Sequence, residues 1–132
     1  MRWPDDFSPE MVERARALVR PQPPPRDVQG DPIWPKVAAE TDWIMPKLAI
    51  ALMYARDEFG REKYGVPLRL GDGRDHRADV VQEVLDCVVY AKAQAMKQQR
   101  DVNDKSASWS VVYAAAIDFL KKVVEAIEQE GA

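Results

Sequence analysis

Apolar residues recur along most of the chain at intervals of three and four, which is the repeat of an amphipathic helix. Between Lys36 and about Lys63 this repeat is interrupted at Pro46, so we expect a short helix to about Ile44 and a longer one from Pro46. The longer helix carries two apolar faces, which predicts packing on two sides. One is the stripe of Leu48, Leu52, Ala55 and Phe59, and the other contains Ile50 and Met53.

Two further helices are expected in the second half of the chain. The third runs from about Arg77 to Arg100, and its apolar arc of about 200° predicts a central place in a bundle. The fourth begins between Asp104 and Ser108 and ends near Glu130. The apolar positions are Val80, Val81, Val84, Leu85, Val88, Val89, Ala91, Ala95 and Met96 in the third helix, and Trp109, Val112, Ala116, Phe119, Val123 and Ile127 in the fourth.

The N-terminal part is expected to be a helix followed by an extended arm. Ser8 is a capping residue and Pro9 suits the first helical position, so a helix is predicted from there to about Arg20. Residues 21–35 hold six of the ten prolines, which favours a spacer over a Pro-rich ligand motif. The prediction is an all-α chain, with the helix and arm in 1–35 and a bundle of about four main helices in 36–132, forming a single domain.

Composition narrows the functional classes. A chain of 132 residues is the size of one domain, and a net charge of −3 argues against a nucleic acid duplex as partner. The single cysteine, Cys87, excludes an internal disulfide and lies in an apolar run, which predicts a small buried side chain. No apolar run approaches the ~18 residues of a membrane span, and no signal core is present, so we expect a cytoplasmic protein.

Acidic residues on the third helix are the main candidates for chemistry. Asp79, Glu83 and Asp86 lie at i, i+4 and i+7, opposite the apolar arc, and Tyr90 shares their stripe. One interpretation is a solvated face. The other is a cation site, because a bound divalent ion would turn the repulsion between these like charges into attraction.

The preceding helix offers matching carboxylates. Glu58 and Glu62 lie at i, i+4 and form either an ion-paired surface or the other half of an all-oxygen site for Mg²⁺ or Mn²⁺. The loop between the two helices contains Arg74 near several glycines, and Lys63 precedes it. Such cations are suited to neutralising phosphate oxygens.

These residues resemble a known family. The segments that carry the resemblance are EKYGVPL at 62–68, GRD at 73–75 and QEVLDCVVY at 82–90. They are similar to the small MazG-like proteins of phages and bacteria, members of the all-α nucleoside triphosphate pyrophosphatase superfamily. Glu83-x-x-Asp86 matches the second metal motif of that superfamily. The first motif, Glu-x-x-Glu, is represented by Glu58-x-x-x-Glu62, whose spacing is longer by one residue.

The resemblance implies a Mg²⁺-dependent nucleotide pyrophosphohydrolase that converts a nucleoside triphosphate to monophosphate and pyrophosphate. It implies Glu83 and Asp86 as metal ligands, with Glu58 and Glu62 as further ligands and catalytic carboxylates. Lys63, Arg74 and Tyr90 would contact the substrate, and the protein would form a homo-oligomer. The altered first motif keeps the alternative open that the chain is a non-catalytic nucleotide-binding protein or a helical interaction or assembly protein.

Overall fold

A computed structural model describes residues 2–130, and the regular structure within that range is entirely helical. The helices are α1 (Pro9–Leu18), α2 (Ile33–Thr41), α3 (Lys47–Tyr64), α4 (His76–Arg100) and α5 (Ser108–Glu130). The all-α prediction is therefore confirmed. None of these five helices combines the length and apolarity that a bilayer span requires.

Local signals in the sequence place the helix ends. The Ser8 hydroxyl accepts a hydrogen bond from the Met11 amide at 3.1 Å, which caps α1. Pro46 stands immediately before α3, as expected, but the preceding helix runs from Ile33 to Thr41 and not from Lys36 to about Ile44. Gly65 closes α3 with a φ of 75°, a left-handed conformation that glycine adopts without a steric penalty. Asp75 caps α4 by accepting from the Arg77 and Ala78 amides.

The chain divides into two compact units. The terminal unit consists of the chain up to Pro21 together with the chain from Asp75 onwards, and the inner unit is Gln22–Arg74. The terminal unit therefore contains α1, α4 and α5, and the inner unit contains α2 and α3. The boundary expected at residue 35 falls inside the inner unit.

In the terminal unit, α4 and α5 form an antiparallel hairpin. Gln98 of α4 bonds to the start of α5, and Arg77 bonds to Glu130 at its far end, 2.9 Å away. Small side chains fill the contact and let the two helices approach closely. The buried apolar residues here are Ala78, Val81, Val84, Ala91, Ala95 and Ala116.

Helix α1 lies against the same hairpin. Its Arg14 donates to the Ile127 carbonyl of α5 at 3.3 Å. Gln82 of α4 donates to the carbonyls of Leu18 and Arg20 just past the end of α1, at 3.2 and 2.8 Å. One amide thus satisfies two carbonyls that a helix end leaves without intrahelical partners.

In the inner unit, α2 packs on α3, and the Pro-rich arm is held by the loop that follows α3. The Arg26 amide donates to the Asp72 carbonyl at 2.7 Å, and the Ile33 amide donates to the Leu68 carbonyl at 2.9 Å. Arg69 donates to the Gly30 carbonyl at 2.9 Å. The expected arm is therefore a fixed part of this unit, and its last residues already belong to α2.

The apolar stripe of α3 does not pack as expected. The second face of this helix is the covered one, and its residues Ala49, Ile50 and Met53 are half-buried on the side of α2. Leu48 and Phe59 of the stripe remain 71% and 52% exposed. The prediction that both faces of this helix are covered is wrong for the single chain.

Three expectations about the hairpin are also corrected. Cys87 is exposed and not buried. Val112 and Phe119 of α5 are exposed, whereas the residues that follow them, Tyr113 and Leu120, are half-buried. The apolar arc of α4 is wider than the surface that α1 and α5 cover, which leaves Val80, Leu85, Val89 and Met96 exposed.

Candidate functional site

The acidic stripe lies on the outer face of α4. The buried residues of α4, such as Val84 and Ala91, face α5. The side chains of Glu83, Asp86 and Tyr90 are all exposed on the other side of the helix. The predicted orientation of the stripe is therefore observed. The expectation that neighbouring core residues crowd Asp86 is wrong, because its side chain points to solvent.

Asp79, at the start of the stripe, has a different environment. It is half-buried, and its carboxylate lies 3.4 Å from Nδ1 of His76, the first residue of α4. Glu83 and Asp86 have no such partner, since no Lys, Arg or His nitrogen within residues 2–130 lies at ion-pair distance from either. The two charges are thus screened by solvent alone.

A second acidic pair lies on α3. Glu58 and Glu62 are exposed and line an open hollow of about 450 Å³, together with Tyr54, Asp57 and Arg61. Arg61 is engaged by Asp57, whose two carboxylate oxygens lie 3.0 and 3.1 Å from the guanidinium Nε. Arg61 is therefore used by the buried carboxylate of Asp57, and the two glutamates stay without an ion pair in the described chain.

Asp57 is the residue of this hollow that the sequence interpretation did not use. It is only 9% exposed and lies on the same face of α3 as Ile50 and Met53, seven and four residues before it. The signal available in the sequence was its i, i+4 spacing to Arg61, which is the spacing of a helical ion pair.

The two acidic pairs belong to different units. Glu58 and Glu62 lie in the inner unit, and Glu83 and Asp86 lie in the terminal unit. Within residues 2–130, no three His, Cys, Asp or Glu side chains are gathered closely enough to hold a metal ion. Each pair supplies oxygen donors of the type Mg²⁺ prefers, but an ion held mainly by protein oxygens would need both pairs.

The predicted phosphate-binding cations have contacts of their own. The Arg74 guanidinium donates to the Pro23 carbonyl at 2.9 Å and so helps to hold the arm. The Lys63 ammonium lies 5.2 Å from the centre of the Tyr64 ring, a cation–π contact on an exposed surface. Lys63 is thus the more accessible of the two for an anionic ligand.

The N-terminus of α4 is occupied by the protein's own carboxylate. Burial raises the pKa of Asp75, but the hydrogen bonds from the Arg77 side chain and the Ala78 and Arg77 amides outweigh it and hold the pKa below its usual value. The Glu130 and Asp75 carboxylates in turn raise the pKa of Arg77. This end of α4 is therefore a capped and ion-paired helix start.

Comparison of the chain with family models, with curated proteins and with solved structures gave no match.

Proposed function

We propose that the protein is a Mg²⁺-dependent nucleotide pyrophosphohydrolase, which splits a nucleoside triphosphate into the monophosphate and pyrophosphate. The observation that carries the proposal is the exposed pair Glu83 and Asp86 on α4, which has no basic side chain at ion-pair distance among residues 2–130. Like charges one turn apart cost a helix about 0.2–0.5 kcal/mol, and a divalent cation removes that cost.

The carboxylates of both helices have the donor chemistry of the metal that the resemblance implies. Glu83 and Asp86 on α4, with Glu58 and Glu62 on α3, would hold Mg²⁺ or Mn²⁺ through oxygen atoms alone, which these hard cations prefer. The metal would supply positive charge to the phosphate oxygens. The proposal requires the two pairs to act on one ion in the active protein, and the experiments below test that requirement.

The chain's own residues account for the remaining steps. A carboxylate of the Glu58/Glu62 pair accepts a proton from the attacking water, whose oxygen forms a bond to the α-phosphorus. The bond between that phosphorus and the oxygen bridging to the β-phosphorus breaks, and its electron pair leaves with pyrophosphate. Lys63 and Arg74 neutralise the departing charge, and the exposed Tyr90 ring contacts the nucleoside.

The proposal also covers the setting of the reaction. The substrate is a nucleoside triphosphate, the protein acts in the cytoplasm, and it assembles as a homo-oligomer. Exposed apolar side chains on α3 and α5, including Leu48 and Phe119, support assembly, because such side chains are usually covered in a working protein.

The substitution Asp86→Asn tests the proposed role of the α4 pair. It keeps the size of the side chain and removes its charge, so Mg²⁺-dependent pyrophosphate release should fall by about 100-fold or more, because a metal ligand is lost. Glu58→Gln should cause a similar loss. Helical circular dichroism should be unchanged in both variants, since both side chains are exposed.

The matched control is Asp118→Asn, which removes an exposed acid paired with Lys122 on α5. It should release pyrophosphate at the wild-type rate. Full activity of the Asp86→Asn protein would remove that residue from the site. Equal loss in the Asp118→Asn protein would show that the assay reports net charge and not the metal site.

The exposed apolar side chains of α3 favour a second candidate function, that of a helical assembly protein that catalyses no reaction. Leu48 and Phe59 on α3 have the character of partner-binding side chains. A panel of nucleoside triphosphates with and without Mg²⁺ separates the two candidates by melting temperature, because any ligand of the native state must raise it. Stabilisation without product would indicate a nucleotide-binding protein, and no response at all would favour the assembly protein.

A further inference from the structure

The hollow on α3 contains an arginine that the protein holds at one edge only. Arg61 lines this hollow, and its side chain is 43% exposed. Its Nε donates to both carboxylate oxygens of Asp57, at 3.0 and 3.1 Å. Among residues 2–130 no acceptor lies at hydrogen-bond distance from either Nη group. The N–H donors of both Nη groups are therefore available to a ligand that enters the hollow.

The buried carboxylate of Asp57 fixes the orientation of this guanidinium. Asp57 lies one helical turn before Arg61, and it is the buried member of the pair. A long arginine side chain loses conformational entropy when it binds a ligand, and a side chain that a buried partner already holds has less to lose. Asp57 therefore prepares Arg61 for binding through its outer edge.

Helical geometry puts Arg61 beside the acidic pair of α3. At about 100° per residue, the side chains follow one another around the helix in the order Asp57, Arg61, Glu58, Glu62. An arginine at such a position would ordinarily pair with the nearest exposed glutamate. Its nitrogens nevertheless lie beyond ion-pair distance of Glu58 and Glu62. Arg61 thus stands next to the proposed metal ligands without neutralising them.

The charge of the hollow limits the ligands that it can take. Its lining has three carboxylates, those of Asp57, Glu58 and Glu62, and one guanidinium, so a bare anion would be repelled. A divalent cation on the two glutamates offsets their charge, and an anion bound to that cation can then reach Arg61. Arginine favours the oxygen atoms of phosphate, which it can contact through two N–H groups at once. The ligand that meets both conditions is a phosphate chain that carries Mg²⁺.

We propose that Arg61 is a phosphate-binding residue of the active site and that Asp57 is its positioning residue. The Nη groups of Arg61 bind oxygen atoms of the polyphosphate chain whose Mg²⁺ is held by Glu58 and Glu62. This role rests on the proposed function, and it adds an arginine to the predicted phosphate contacts Lys63 and Arg74.

Binding of inorganic tripolyphosphate in the presence of Mg²⁺ tests the assignment without any turnover. By calorimetry the wild-type chain should bind this probe, and Arg61→Gln should weaken the affinity by about 10- to 100-fold, because a charge-assisted contact to phosphate is lost. Arg61→Lys should restore the affinity only in part, since an ammonium cannot contact Asp57 and two phosphate oxygens in one plane. Chelation of Mg²⁺ should weaken wild-type binding by about tenfold or more, because the carboxylates then repel the probe.

The matched control is Arg56→Gln, the same substitution on the same helix. Arg56 is exposed on the opposite side of α3, where its guanidinium lies 5.1 Å from the centre of the Phe59 ring. This variant should bind tripolyphosphate with the wild-type affinity. Circular dichroism of both variants verifies that the helices are intact.

A double variant covers the case in which Arg61→Gln does not fold, since that change leaves the buried Asp57 carboxylate without its partner. Asp57→Asn combined with Arg61→Gln removes one charge of each sign and leaves the net charge of the hollow unchanged. It should show the same loss of affinity as Arg61→Gln. Asp57→Asn should weaken the wild type severalfold but should not weaken Arg61→Gln further, which distinguishes positioning of Arg61 from a general structural role.

Folded Arg61→Gln protein that binds the probe like the wild type would overturn the assignment. Equal loss in Arg56→Gln, equal wild-type affinity without Mg²⁺, or no wild-type affinity at all would also overturn it. Binding that depends on Arg61 in a chain that releases no pyrophosphate would keep the assignment and reject the hydrolysis. Pyrophosphate release that Arg61→Gln leaves unchanged would reject the assignment and keep the hydrolysis.

Discussion

At the scale of single residues, the buried amide of Gln98 organises the turn between α4 and α5. Its Nε2 donates to Asp104, Ser106 and Ser108 at 2.8–3.0 Å, and its Oε1 accepts from the Trp109 amide at 3.1 Å. The Ser106 amide, and after it the Gln98 side chain, hold the pKa of Asp104 below its ordinary value of 3.8. The stabilising charge of Asp104 is thus present above pH 3.8 and is lost as the pH falls through the lower folded pKa.

The substitution Gln98→Ala should lower the free energy of unfolding by about 2 kcal/mol, because the Trp109 amide loses its acceptor in a part-buried setting. It should also reduce the loss of stability below pH 3.8, since Asp104 then has one hydrogen bond fewer in the folded state. Urea unfolding at neutral and acidic pH measures both effects. Gln99→Ala, at the exposed neighbouring position, is the control and should change the stability little.

At the scale of elements, the Pro-rich arm (residues 21–35) and the loop after α3 (residues 65–75) are held together by backbone hydrogen bonds. We call these two segments together the clasp. Gly73 has a φ of 90°, and a Cβ at this position would lie 2.7 Å from Nε of Arg26. The left-handed backbone conformation therefore favours glycine at this position, and an added Cβ would also displace the Arg26 guanidinium. The clasp explains why a segment with so many prolines has a defined place in the inner unit.

The substitution Gly73→Ala should loosen the arm and destabilise the chain by more than Gly71→Ala. Both glycines have positive φ, but an added Cβ at Gly71 meets nothing within 4 Å. The shared backbone cost is about 1 kcal/mol, so the difference between the variants reports the Arg26 contact. Trypsin cleavage after Arg26 should accelerate in the Gly73 variant alone, and equal cleavage in both would disprove the clasp.

At the scale of the whole molecule, the described chain buries only small apolar side chains completely. The buried hydrophobic residues among 2–130 are Val81, Val84 and five alanines, while Leu48, Phe59 and Phe119 remain largely exposed. Large apolar side chains contribute most to folding free energy when they are covered. Covering these side chains in an assembly would therefore increase the free energy of unfolding of the chain.

If assembly provides that stabilisation, the melting temperature should rise with protein concentration, because a partner that binds only the native state shifts unfolding by mass action. Calorimetric melting over a hundredfold range of concentration measures the effect. A melting temperature that is constant for the wild type would contradict coupled folding and assembly.

The sequence alone determined where α1, α3, α4 and α5 lie and which residues begin or end them, whereas α2 lies about three residues before its expected place. Ser8, Pro46 and Gly65 act on neighbouring backbone groups, so their effects can be derived without the rest of the fold. The outward position of Glu83 and Asp86 also followed from the sequence, because the helical repeat separates them from the buried residues of α4.

Tertiary structure decided which of several apolar faces is covered. Helices α3, α4 and α5 each have an apolar arc wider than one neighbour can bury, so the pattern gave no preference between Leu48 and Ile50 or between Phe119 and Leu120. The exposure of Cys87 and the holding of the arm by Arg69 and Arg74 likewise depend on contacts between segments distant in the chain. The physical reason is that a helix forms through contacts between neighbouring residues, whereas the burial of its faces depends on which other segment packs against it.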